Sequence, residues 1–222
     1  MSYFHGESPE NYEQKCLCML ILDTSGSMQG EPINKLNAGL MTFSDEVKAD
    51  FRASISLEIS IITFNSYVES IQEPALIANF DMPGLVASGT TRLVDAVRLG
   101  MKKVEERKQW YKDTGQPYYR PFIVLITDGE PDRGQDMKGL SREIRAAVDA
   151  KRFSFYALGV RGYNHTKLAS ICPPNTPPMP LAGYKFANFF KWLSNSISII
   201  NQSKEGETIQ LPPISGWAQI EI

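Results

Sequence analysis

The amino-acid sequence predicts an α/β fold, a three-layer α/β/α domain whose doubly wound, mostly parallel sheet has one antiparallel edge strand. Three observations predict it. The apolar run Cys16-Leu17-Cys18-Met19-Leu20-Ile21-Leu22 passes directly into Asp23-Thr24-Ser25-Gly26-Ser27. A second run, Phe122-Ile123-Val124-Leu125-Ile126-Thr127, ends the same way in Asp128-Gly129-Glu130-Pro131. Between and beyond them, helical spacing of apolar residues alternates with strand-like runs, the pattern of a parallel sheet with helices on both faces.

Each element has its own signal. Pro32 suits a first helical turn, and Ile33, Leu36, Leu40, Phe43 and Val47 then recur three and four apart. Ile55, Leu57, Ile59 and Ile61 alternate with Ser56, Glu58 and Ser60, which predicts a strand. Asn65-Ser66 offers a turn into a short strand near 67–71, antiparallel at the sheet edge because no helix separates the two. Leu93, Val97, Met101 and Val104 mark a second helix after Gly89-Thr90-Thr91. Met137, Leu140, Ile144 and Val148 mark a third. A strand over 153–160 and a last helix with Phe186, Phe190, Leu193, Ile197 and Ile200 complete the set. The stretch 172–181 holds five prolines and is neither regular helix nor central strand.

The organisation expected is a polar segment over 1–14, one domain over 15–202, and a segment over 203–222. Ile209, Leu211, Ile214 and Trp217 should dock that last segment on the domain. At 222 residues such a domain can bury a substantial core. A formal charge of -2 gives no general attraction to nucleic acid or anionic lipid. No run reaches the ~18 apolar residues of a membrane helix. Residues 1–14 lack the basic and apolar regions of a secretory signal. Cys16, Cys18 and Cys172 make no disulfide framework and read as core residues, so a cytoplasmic, reduced protein is expected.

The chemistry lies at the two strand ends. Short oxygen-bearing side chains suit a hard dication, and open α/β sheets bind ligands outside the carboxyl ends of their strands. Asp23 supplies a carboxylate, while Ser25 and Ser27 supply neutral hydroxyls. An ion held this way stays under-neutralised and open to water or an incoming carboxylate. Mg²⁺ fits best, with Ca²⁺ or Mn²⁺ as alternatives. An EF-hand starting at Asp23 would need Gly and Glu where Met28 and Asn34 stand. A phosphohydrolase using Asp23 as nucleophile would usually carry a second Asp two residues on, where this chain has Ser25. No phosphate loop is present, and His5 and His165 sit in no nucleophile–base pattern. Ser25, Ser27 and Thr91 have a plainer reading as helix caps, and Asp128 as a turn residue.

The string Asp23-Thr24-Ser25-Gly26-Ser27-Met28, with Gly89-Thr90-Thr91 and Thr127-Asp128-Gly129-Glu130-Pro131, resembles the von Willebrand factor type A domain and its metal-ion-dependent adhesion site. The resemblance runs from about Cys16 to about Ile200. The loop order and the helix with Phe189-Phe190-Lys191-Trp192 are most similar to the bacterial TerY-like (YegL-like) branch. The resemblance implies a divalent ion on the sheet's upper rim, held by Asp23, Ser25, Ser27, Thr91 and Asp128. Thr91 is preferred to Thr90 because it lies four residues before Asp95 in G-x-T-x-x-x-D-A.

It further implies a non-catalytic module in which a partner protein's Asp or Glu completes the ion's coordination. Service in a stress-response or tellurite-resistance system, beside a kinase and a phosphatase, would follow. The alternatives are a metal-dependent phosphoryl hydrolase and a regulatory subunit of an ATPase machine. Glu31, Glu130, Asp132, Arg133, Arg161, Tyr163 and His165 are expected in rim loops that a partner could touch. Trp110, Tyr111, Tyr118 and Tyr119 read either as an exposed recognition patch or as a satellite cluster under a loop.

Overall fold

The computed structural model describes residues 8–128, 130–160, 162–181 and 185–202. Six strands form one sheet: β1 (Cys16–Asp23), β2 (Leu57–Phe64), β3 (Val68–Leu76), β4 (Phe122–Thr127), β5 (Ser154–Gly159) and β6 (Met179–Pro180). Their order is β3-β2-β1-β4-β5-β6. Every pairing is parallel except β2 with β3, the expected antiparallel edge. The helices are α1 (Glu31–Ala49), α2 (Phe51–Ser56), α3 (Leu93–Thr114), α4 (Met137–Asp149), α5 (His165–Ile171) and α6 (Phe186–Gln202).

The central strand shows why a continuous apolar run was needed. Along β1, Cys16, Cys18, Leu20 and Leu22 enter a core beneath α1 and α6, whereas Leu17, Met19 and Ile21 enter a second core beneath α3 and α4. The two-residue period of a strand sends alternate side chains into both layers. All seven are fully buried. The three cysteines are free and buried, as core residues should be. The last helix closes the first core with Phe186, Phe189, Phe190, Trp192 and Leu193.

The structure corrects the sequence reading at two places and adds two elements to it. Residues 55 and 56 belong to α2, not to a strand: the Asp50 carboxylate accepts from the amides of Arg52 (2.9 Å) and Ala53 (3.2 Å) and caps a helical turn where alternation suggested β. The edge strand is longer than expected and starts after Tyr67, which stays in the turn. The proline-rich stretch supplies β6, a two-residue edge strand, a place where proline is tolerated. The helix α5 was not expected; Asn164 caps it through a 3.0 Å hydrogen bond from the Lys167 amide.

Of the aromatic quartet, Trp110, Tyr111 and Tyr118 form the satellite cluster, and Tyr119 packs on the first core. On β2, Glu58 is 2% exposed and is held by Arg107 (2.8 and 2.7 Å) and the Tyr111 hydroxyl (2.6 Å). Ser60 on the same strand is likewise buried, donating to Gln72 O at 2.8 Å. Among the described residues no helix is long and apolar enough to cross a membrane. The expected docking of 203–222 lies outside the described residues.

Candidate functional site

From β1 the chain builds β2 and β3 to one side; it then builds β4, β5 and β6 to the other. The strand order therefore reverses between β1 and β4, and the crevice at their carboxyl ends is where open α/β sheets bind ligands. Asp23 ends β1 and Asp128 follows β4. Leu22 pairs with Ile126 across the two strands, which brings Asp23 beside Thr127.

Hydrogen bonds join four of the five expected residues. One Asp23 oxygen (Oδ1) accepts from the Ser25 amide at 2.8 Å, and Oδ2 accepts from the Thr127 hydroxyl at 2.6 Å. The Ser25 and Ser27 hydroxyls lie 3.0 Å apart, and Ser27 donates to Asp128 Oδ1 at 2.7 Å. Neither serine caps a helix: Ser25 precedes a three-residue 3-10 turn without a side-chain cap, and Gly30 is the N-cap of α1. The plainer capping role is therefore not the one these side chains play. Thr127 was read as the end of a strand and the start of the Thr127-Asp128-Gly129-Glu130-Pro131 string, with no role assigned to it; its place beside a strand-end Asp was the available signal.

Thr91 reaches the same rim through backbone contacts. Gly26 N–H donates to Gly89 O (3.0 Å) and Ser88 N–H to Thr24 O (2.8 Å), tying the turn before α3 to the Asp23 loop. Gly89 has φ +76°, and a Cβ there would lie 2.5 Å from Ser66 Oγ, so the turn requires glycine. Thr90 is exposed with its hydroxyl 3.4 Å from that of Ser66, whereas Thr91 is 6% exposed. Thr91 does not cap α3, whose N-cap residue is Arg92.

Electrostatics at the site fit a cation. Burial raises the Asp23 carboxyl from 3.8 to about 6, against the lowering effect of its Ser25 and Thr127 hydrogen bonds and with a further push from Asp128. Burial also raises Asp128, opposed by Ser27. Two desolvated carboxylates beside hydroxyls form an all-oxygen donor set suited to Mg²⁺, Ca²⁺ or Mn²⁺. Among the described residues no cluster of three or more His, Cys, Asp or Glu is placed to hold a metal; the donors here are two carboxylates and hydroxyls.

The expected rim residues divide by role. Glu130 is engaged by Lys167 and by Asn164 (2.7 Å), which fastens its loop to the start of α5. The Tyr163 hydroxyl lies 3.0 Å from His165 Nδ1, with His165 exposed. Glu31 and Arg133 are exposed. Asp132 faces inward, accepting from the Thr91 amide at 3.1 and 3.2 Å. Arg161 lies outside the described residues. Gln135, which sequence reasoning missed, donates to Thr91 O at 2.6 Å and accepts from the Val94 amide at 2.8 Å.

This sheet, with its reversal point, oxygen-rich loops and flanking helices, defines a class: an open α/β domain with a candidate binding crevice at the carboxyl end of its strands. The chain belongs to the von Willebrand factor type A domain family, whose model matches residues 19–190. It is 24% identical over 169 residues to inter-alpha-trypsin inhibitor heavy chain H1 of Mesocricetus auratus, covering 71% of this chain and 18% of that protein. The chain thus spans less than a fifth of the curated relatives it matches. Among solved structures, the pilus adhesin SpaC of Lactobacillus rhamnosus GG in its open conformation aligns with TM-score 0.65 and 13% identity, over 86% of this chain and 31% of that one. The conserved hypothetical protein BatB of Bacteroides thetaiotaomicron aligns with TM-score 0.57 and 17% identity, over 85% of this chain and all of that one. At such identities the likeness is one of fold.

Proposed function

We propose that this chain is a non-catalytic recognition module whose divalent-ion site at the β1/β4 reversal point takes a carboxylate from a partner protein. Domains of this family commonly mediate protein–protein interaction or adhesion. The observation that carries the reading is the hydrogen-bonded convergence of Asp23, Ser25, Ser27 and Asp128, two of them carboxylates that burial raises.

Asp23, Ser25, Ser27, Thr91 and Asp128 would hold Mg²⁺, with Ca²⁺ or Mn²⁺ as substitutes. The bound ion would supply a Lewis-acid centre that draws in an acidic side chain. The residues themselves do the rest. Thr127 and the Ser25 amide hold the Asp23 carboxylate in one rotamer, and Ser27 orients Asp128. The Gly26–Gly89 contact seats the Thr91 turn against the first loop. Five protein donors would leave one position of a six-coordinate ion open, and a partner carboxylate could fill it. Ser25 stands two positions on from Asp23, where an aspartyl-phosphate hydrolase would usually carry a second Asp, so the residues favour recognition over phosphoryl hydrolysis.

Resemblance of the loop order and last helix to the TerY-like branch supports a bacterial, cytoplasmic role in a stress-response or tellurite-resistance system, with a kinase and a phosphatase as partners. Affinity capture of partner proteins on the immobilised chain, in Mg²⁺ and in chelator, tests the reading. Specific capture lost in chelator and in Asp23→Ala supports it. Equal capture in all three conditions would place recognition elsewhere on the surface. Robust turnover of an aryl phosphate that disappears in Asp23→Ala would favour the hydrolase instead.

A further inference from the structure

The loop that carries Asp128 also grips the turn that carries Thr91. Both backbone groups of Thr91 are taken up by that loop: its N–H by the Asp132 carboxylate (3.1 and 3.2 Å), its carbonyl by the Asp132 amide (3.1 Å) and by Gln135 Nε2 (2.6 Å). On its other side the turn is tethered to the β2–β3 connection, Thr90 N–H donating to Ser66 Oγ (3.0 Å) and Arg92 N–H to Asn65 O (3.0 Å).

The gripping loop is itself anchored. Glu130 engages Asn164 and Lys167, while Asp136 caps α4 through the Gly139 amide (2.8 Å) and pairs with Arg98 (2.9 Å). We propose that Asp132 and Gln135 are positioning residues that lock the Thr91 turn to the Asp128 loop, so that both reach an ion as one unit. This rests on the metal reading above.

A purely structural role must be separated from this one. Arg92, at the N-cap of α3, makes no side-chain cap; its guanidinium turns to Asp95 (3.0 and 2.6 Å), and Gln135 Oε1 takes the Val94 amide instead. If capping were Gln135's only role, its loss would free the first turn of α3 and nothing more. Locking predicts more, because Gln135 also holds the Thr91 carbonyl.

The test uses the whole chain. In chelator, hydrogen exchange at the Thr91 amide should quicken severalfold in Gln135→Ala, although that amide's own acceptor, Asp132, is untouched. Calorimetric titration should show Mg²⁺ binding weakened about three- to tenfold in Gln135→Ala and in Asp132→Ala, the range for loss of one hydrogen bond. The double variant should lose less than the product of the two factors, since both act through Thr91. Asp132→Asn, which keeps an acceptor for Thr91 N–H, should retain most of the affinity. Faster exchange confined to Val94 and Asp95, with Thr91 exchange and Mg²⁺ affinity unchanged, would overturn the proposal. Absence of saturable Mg²⁺ binding in the unmodified chain would sink the metal reading, and the positioning role toward an ion with it. The Thr91 exchange rate would still decide whether the lock exists.

Discussion

Replacing Asp23 by Asn should stabilise the metal-free protein, although it removes the central ligand of the proposed ion site. Asp23 is fully buried, and its carboxyl is raised from 3.8 to about 6. A group whose folded value is raised favours folding below its unfolded value and loses that contribution as pH climbs through the folded one. At pH 7.5 the anion therefore costs about 3 kcal/mol; at pH 4.5 the residual cost is about 1 kcal/mol. Asn keeps an acceptor for the Ser25 amide and turns its NH₂ toward the Thr127 hydroxyl, which can accept. Asp23→Asn in chelator at pH 7.5 should gain about 2–3 kcal/mol, or about 5–10 °C in Tm for a chain of this size. The gain should shrink at pH 4.5. Saturating Mg²⁺ should reverse the order: ion at a thousandfold over its dissociation constant adds about 4 kcal/mol to the unmodified chain and nothing to the variant. Denaturant melts at the two pH values, with chelator and with Mg²⁺, measure each arm. A variant less stable than the parent in chelator at pH 7.5 would refute the burial argument.

Other outcomes follow from the same geometry. Mg²⁺ affinity should be flat above pH ~7 and fall about tenfold per unit below pH ~6, as protons compete for Asp23; titrations at three pH values check this. Glu58→Ala should cost about 3–5 kcal/mol by stranding Arg107 and the Tyr111 hydroxyl. It should leave Mg²⁺ affinity unchanged, because Glu58 lies near the start of β2, at the opposite end of the sheet. Gly89→Ala should cost about 1–3 kcal/mol through its positive φ and its collision with Ser66, and should weaken Mg²⁺ as well, read by melting and titration. Cys16 and Cys172, whose thiols burial pushes up to about 12, should resist alkylation until the chain unfolds.

What the sequence disclosed, and what it concealed, has a physical pattern. The run 16–22 disclosed a central strand because burial on both faces demands unbroken apolarity, and the meeting of Asp23 and Asp128 on one rim was legible because strand ends are fixed by those runs. Glu58 was read only as a polar position in a strand, and the arrival of Arg107 and Tyr111 from α3 explains how a carboxylate is buried there. Gln135 could not have been found, since its contacts with Val94 and Thr91 span 41 and 44 residues, and its local side-chain contact, to the Asp132 carbonyl, leaves no mark in the sequence. Asp132 was read as a rim residue available to a partner. Its carboxylate is instead turned inward on Thr91.

The central claim stands or falls on calorimetric titration of the whole chain with Mg²⁺ at pH 7.5. The account predicts one saturable site, abolished in Asp23→Ala, weakened in Ser25→Ala, and accompanied by unchanged folding of both variants in chelator. No saturable binding, or binding of equal strength in Asp23→Ala, would contradict it.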